Sequence, residues 1–205
     1  MRVGNSKVRV QMRNGIFMRA CRLIRKAIAM AAWFGLIAGS NHGFCAETPL
    51  TEHQVKSLFL LNFAKYVDWP SDVFTAPDAP IVIGVLGEGK FGGELAKTVE
   101  GKNIQGRPIL IRQIQTPEDS GKCHILFIGS SEKAGLVEIL KRIKTKPVLT
   151  VGETDQFMEQ GGVINFVKKE GKVRLEINLE AARQAKLEIS SKLLSVADVV
   201  KGKLK

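Results

Sequence analysis

The chain has 205 residues, a formal net charge of +11, a pI near 9.7 and a mean hydropathy of +0.01. Three cysteines are too few for a disulfide framework, and 44% hydrophobic residues exclude a disordered polymer. The charge is concentrated: eight of the 31 Lys and Arg lie in the first 46 residues, which hold no Asp or Glu, so residues 47–205 carry 23 bases against 20 acids. That net of +3 removes the basic footprint of a nucleic-acid binder, and no basic stripe interleaved with aromatics remains.

At the N-terminus, Arg19, Arg22, Arg25 and Lys26 lead into an uncharged apolar run, Ala27–Ala38, followed by Gly39, Ser40, Asn41 and Gly43. A charged n-region, a short apolar h-region and a small-residue c-region predict a cleaved secretory signal over residues 1–46, with Met18 as an alternative start. Twelve apolar residues fall short of the roughly 20 that span a bilayer. Cys45 follows Phe44, where lipidation of a cysteine wants a small residue. The expected organisation is therefore an export signal, then one domain over residues 47–205 acting in the periplasm, away from ATP and NAD.

Thr51-Glu52-His53-Gln54 reads as a capping box that opens a helix running to about Val67. Val55, Leu58, Phe59, Asn62, Phe63 and Tyr66 fall on one face, with Asn62 expected to make a buried hydrogen bond. Leu60, Leu61 and Ala64 fall on another, so the helix is either sandwiched in the core or offers a spare apolar side as a candidate partner interface; the C-terminal helix is a second candidate, and core packing or a homodimer contact is the simpler reading of both. Pro70 closes the helix at Trp69. A strand is expected at residues 81–86, a glycine-rich turn at 87–93 and a short helix at 94–99. Strands follow at 109–114 and 124–128, with a polar loop between them. Ser130 and Ser131 should cap a helix reaching Ile143. Then come a strand at 147–151, a helical turn at 155–160, and strands at 163–167 and 173–177 joined by the Lys169-Glu170-Gly171 turn. A terminal helix is expected over residues 190–200, with Leu193, Leu194, Ala197 and Val200 as its stripe. Strands alternating with helices predict an α/β fold with a mostly parallel sheet flanked by helices on both faces, Rossmann-like in its layering, closed by a β-hairpin and a terminal helix.

Gly87-Glu88-Gly89-Lys90-Phe91-Gly92 fits G-x-G-x-x-G after a strand. No acid stands at the tip of the next strand, Ile114-Gln115-Thr116, so a dinucleotide is not expected. Gly87, Gly89, Lys90 and Gly92 remain candidates for an anion or small-ligand site, with a plain tight turn as the simpler reading. Ser130-Ser131-Glu132-Lys133 contains S-x-x-K without the companion motifs of a serine acyl-enzyme, so an exported serine hydrolase is the weaker alternative. His53, Cys123 and His124 show no metal-ligand spacing. No catalytic residue, metal or cofactor is expected, and Cys123 reads as a small core residue.

A set of segments in order carries a family resemblance: Leu61-Asn62-Phe63-Ala64-Lys65-Tyr66-Val67-Asp68-Trp69-Pro70, the CHILFIGSS run starting at Cys123, Val148-Leu149-Thr150-Val151-Gly152-Glu153, Gly161-Gly162-Val163-Ile164-Asn165-Phe166, Arg174-Leu175-Glu176-Ile177-Asn178 and Ile189-Ser190-Ser191-Lys192-Leu193-Leu194. Together they resemble the YfiR-like family of exported bacterial proteins over about residues 50–200. The resemblance implies a non-enzymatic periplasmic regulator that binds the periplasmic sensor part of an inner-membrane signalling protein, such as a diguanylate cyclase or a sensor kinase, and restrains it. A cyclase partner would tie the chain to cyclic di-GMP and biofilm. The alternatives carried beside it are a homodimer using the same apolar faces and a periplasmic small-ligand sensor or solute-binding module built on the residue 87–93 turn.

Overall fold

The computed structural model describes residues 50–87 and 89–200, so the expected signal at residues 1–46 lies outside the described part. Five helices and ten strands follow one another in it. Helix α1 is Glu52–Tyr66. Its N-terminus forms as the sequence predicts: Gln54 N–H donates to Thr51 Oγ1 (3.2 Å), and Thr51 N–H donates to Gln54 Oε1 (2.9 Å). The face that α1 turns inward carries Lys56, Ser57, Leu60, Phe63 and Ala64. Of the two readings of the second apolar face, core packing is the one this row follows. Leu60 and Ala64 are buried in the core, and Leu61 packs partly against it. Asn62, expected to be buried, is exposed. The row 56, 60, 63, 64 follows helical spacing, and the sheet claims that row because it must be roofed.

The sheet has eight strands in the order β10-β8-β7-β6-β5-β2-β4-β3. They are β2 (Ile81–Leu86), β3 (Asn103–Ile104), β4 (Arg107–Ile114), β5 (Ile125–Ile128), β6 (Leu149–Gly152), β7 (Ile164–Lys169), β8 (Lys172–Asn178) and β10 (Asp198–Val200). From β4 through β2, β5 and β6 to β7 every pairing is parallel; β3–β4 and β7–β8 are antiparallel. A separate two-stranded ribbon joins β1 (Val67–Asp68) to β9 (Glu188–Ile189). β2 is buried at all six positions. Ile81, Ile83 and Val85 enter the core under α1 and helix α2 (Gly89–Val99), whereas Val82 and Leu86 enter the core under helix α3 (Leu136–Ile143). A strand covered on both faces reads as an unbroken apolar run for this reason.

Several expected elements differ in extent. Helix α2 begins at Gly89 rather than residue 94, so Gly92 lies inside it. The 130–143 segment splits into a 3-10 turn, Ser130–Glu132, and α3, with Gly135 between them and no serine side chain capping either piece. Helix α4 (Leu179–Gln184), capped by Asn178 Oδ1 accepting from Ala181 N–H (3.1 Å), was not expected. The expected terminal helix is cut to α5 (Ser191–Leu194), after which the chain becomes β10, paired in parallel with β8. Val196, Val199 and Val200 favour extended backbone. The open edge of β8 and the Lys169–Asp198 ion pair (2.9 Å) complete the conversion. The β7–β8 turn forms as predicted: Glu170 and Gly171 both have positive φ, 52° and 72°, the two-residue geometry that matches strand twist.

At the amino ends of the parallel strands, His124 locks two segments. Val82 N–H donates to His124 Nδ1 (3.0 Å), and Trp69 Nε1 donates to the His124 carbonyl (3.2 Å). The imidazole stacks on Phe74 at 4.7 Å, and the Arg107 guanidinium covers that ring at 3.8 Å from its centroid. Burial, with Arg107 adding, holds the His124 pKa below its ordinary value of 6.5. The unfolded chain thus takes up this proton first as pH falls, and stability declines from about pH 6.5 down to the folded-state value. Urea midpoints at pH 7.5 and pH 5 should show the loss, and His124→Gln, which keeps an acceptor for Val82 N–H, should remove His124's share of it. An unchanged pH dependence in that variant contradicts this role.

Candidate functional site

In a parallel sheet, ligand sites form outside the carboxyl ends of the strands, where successive crossovers leave in opposite directions. Here that point lies between β2 and β5: the chain goes from β2 to β4 on one side, then from β5 to β6 on the other. The turn after β2 holds Gly87, and the turn after β5 holds Ser130–Glu132. Gly129 N–H donates to Leu86 O (2.9 Å), pinning the two turns together.

Gly87 has φ +81°, and a Cβ there would run into Ser131 Oγ, so only glycine fits. Its carbonyl accepts from Gln113 Nε2 (3.0 Å). Gly92 is buried, and a Cβ there would stand 3.1 Å from Gln113 Oε1, so this glycine lets α2 lie close on β4. Gly89 opens α2 with nothing within 4 Å of a Cβ, and Lys90 is exposed. The four motif residues thus share one turn and helix start, but their roles differ. Glu132 Oε1 would sit 3.3 Å from a Gly87 Cβ, which places a carboxylate where an anion would approach. The simpler reading, a tight turn with a packing glycine, accounts for Gly87 and Gly92. Ser131 Oγ donates to Glu132 Oε1 (3.4 Å), a carboxylate rather than an imidazole, and lends the hydrolase alternative no support.

Beside these turns lies a crevice of about 560 Å³ bounded by α1, β7 and the loops after β5 and β6. Its centre is a charge network that sequence reading did not find. Lys56 Nζ contacts Glu153 Oε2 at 2.6 Å and Glu52 Oε1 at 2.7 Å. Glu153 Oε1 accepts from Ser130 N–H (3.0 Å), and Lys168 Nζ lies 3.4 Å from Glu52 Oε2. Burial works against the Lys56 ammonium, but its hydrogen bonds to Glu153 and then Glu52 outweigh it and raise its pKa. The bond from Lys56 lowers the Glu52 carboxyl in turn. The network ties α1 to the two loops beside the switch point and pairs the charges of Lys56, Glu52 and Glu153 along one wall of the crevice. A lysine among apolar helix positions, with an acid three residues past the β6 Thr150, was the only trace in sequence.

Cys123 is buried; its thiol donates to Ser120 O (3.2 Å), and burial pushes its pKa up to about 12. A thiol so protonated is a packing residue. Among the described residues no group of three or more His, Cys, Asp or Glu could hold a metal ion.

A family model described as YfiR/HmsC-like matches residues 53–198. No curated protein matches the chain. Among solved structures, a conserved domain protein from Vibrio cholerae is similar at 15% identity and TM-score 0.43, covering 59% of this chain and 55% of that one. An ABC domain in complex with L-Trp from Streptococcus pneumoniae is similar at 11% identity and TM-score 0.44, covering 58% and 55%. The aligned part thus spans about half the length of each of those chains.

Lys56→Met should destabilise the fold by about 3 kcal/mol, because it strands the Glu153 carboxylate. Adding Glu153→Gln, which keeps an acceptor for Ser130 N–H, should recover at least about 1 kcal/mol, whereas Glu52→Gln at the exposed end should cost under about 1 kcal/mol. Urea unfolding measures all three, and a Lys56→Met cost below that of Glu52→Gln contradicts the network. Gly87→Ala should cost about 2 kcal/mol or more, and Ser131→Gly should return only the steric part, leaving the backbone strain of a positive φ.

Proposed function

The chain belongs to the YfiR/HmsC-like family, and we propose that it is an exported periplasmic regulator that restrains a membrane-bound signalling enzyme by binding that enzyme's periplasmic part. Members of this family are known as periplasmic regulators. The observation that carries the reading is the extent of the match: residues 53–198 take in α1 from its second residue, every strand of the sheet up to the start of β10, and all the loops between. Three features support it. Residues 1–46 have the layout of a cleaved signal. No helix among the described residues is long and apolar enough to cross a membrane. The polar crevice beside the strand ends has Lys56 and Glu153 paired with each other in its wall, so these two charges brace the fold. In this reading the regulated enzyme is a diguanylate cyclase or a sensor kinase, and the chain contributes binding energy rather than chemistry.

Expressed with a C-terminal tag in its own host, the full chain should appear in the periplasmic fraction, truncated between about residues 38 and 46 by N-terminal sequencing. From cross-linked, solubilised membranes it should carry an inner-membrane protein with a cytosolic enzymatic domain. Deleting its gene should raise that enzyme's output severalfold; for a cyclase, cellular cyclic di-GMP is the readout. An unprocessed cytosolic chain, or a deletion that leaves the captured enzyme's output unchanged, contradicts the proposal.

A further inference from the structure

We propose that the groove between α1, the start of β8 and α5 is the docking surface for that partner, and that the segment it receives is acidic and amphipathic. This deepens the regulatory reading and rests on it. The groove has a volume of about 440 Å³ and an apolar floor of Phe59 and Tyr66 from α1, Val173 from β8 and Leu193 from α5. Val196 stands at its lip, 59% exposed, and also lines a neighbouring hollow of about 430 Å³. A valine this exposed at the lip of an apolar-floored groove suits apolar side chains spaced along one helix face or strand, whereas the neighbouring hollow, lined by Lys169, Glu170, Arg174 and Asp198, lies outside the proposed site.

Charge selects the occupant. The groove lining holds two cations, Arg174 and Lys192, and no carboxylate. Neither forms an ion pair with another described residue, and a third cation, Lys65, lies with Nζ 5.4 Å over the Tyr66 ring at the same edge. Four other hollows among the described residues each include at least one Glu or Asp in their lining. An apolar floor beneath Lys192 and Arg174, with no carboxylate in the groove itself, matches an apolar stripe flanked by Asp and Glu. A second copy fits poorly, because a two-fold contact through this face would bring Arg174 and Lys192 of both copies together.

The test places a photo-crosslinking phenylalanine derivative at one position at a time in the tagged full chain, in its native host. Val196 probes the groove; Leu110 and Val137, 45% and 59% exposed and outside the groove lining, probe elsewhere. The expected result is a cross-link from Val196 alone, mapped by mass spectrometry to an acidic segment of an inner-membrane protein with apolar residues at helical or alternate spacing. Lys192→Glu should reduce its yield at least tenfold with an unchanged circular dichroism spectrum, and adding Arg174→Glu should abolish it. Arg174 also lowers the Asp198 pKa, so the single Lys192 variant is the cleaner arm. Cross-links to the membrane protein only from Leu110 or Val137 overturn the groove and leave the regulatory reading standing. A Val196 cross-link to a second copy, to a basic segment, or one indifferent to Lys192→Glu overturns the acidic partner. No membrane-protein cross-link from any position overturns both readings.

Discussion

The structure depends on one constraint: a parallel sheet that is apolar on both faces must be roofed on both. β2 meets this most fully, its side chains alternating between the two cores. On one face the roof is α1, α2 and α4; on the other it is α3 with the 3-10 turn Pro117–Lys122. Burial of that many Ile, Val, Leu and Phe side chains, each worth about 1.5–3 kcal/mol, is the main drive to fold. It also dictates what is left over. The most apolar row of α1 is consumed by the roof, so Leu60 and Ala64 have no surface to offer. What α1 keeps for solvent is its flank, Phe59, Asn62 and Tyr66, and the groove forms there.

The same constraint explains the buried ammonium. Where α1 crosses the carboxyl ends of the strands, backbone donors from the loops need acceptors and the helix needs an anchor. Glu153 supplies both, with one oxygen on Ser130 N–H and the other on Lys56. Partly buried charges are tolerable only when each is paired. Lys56, with Glu52 and Glu153, meets that condition and ties α1 to the loops after β5 and β6. At the other end of the strands, the Arg107–Phe74–His124 stack does comparable work with aromatic faces.

Much of this was legible in the residues, and the exceptions have physical causes. The Thr51–Gln54 box is a local signal with a local partner, and it forms as read. Glu170-Gly171 declares its hairpin because few residues accept two successive positive φ values. The buried strands show as apolar runs, and the α/β layering follows from their spacing. The terminal segment misled because Leu193, Leu194, Ala197 and Val200 suit a helical stripe, whereas the structure hands Asp198–Val200 to the open edge of β8. An edge offering hydrogen bonds far away in sequence is a tertiary fact. The helix after Asn178 was missed although Asn-Leu-Glu-Ala-Ala is a fair capping signal, since strand residues run directly into it. The Gly87 motif was legible as a tight turn between a strand and a helix, whereas Ser131 and Glu132 beside it are visible only in the fold. The Lys56–Glu153 pair, 97 residues apart, has no sequence signature.

Lys56, Glu52 and Glu153 brace the strand-end crevice from within, and a separate apolar-floored groove lies on the flank of α1 and α5. The most direct test is amide hydrogen–deuterium exchange on the full chain, alone and bound to the membrane protein it co-purifies with. The account predicts that binding slows exchange in residues 59–66, 173–174 and 190–197 and leaves residues 87–93 and 129–132 unchanged. Protection confined to the Gly87 and Ser130 turns, with the α1 flank and α5 unaffected, would contradict it.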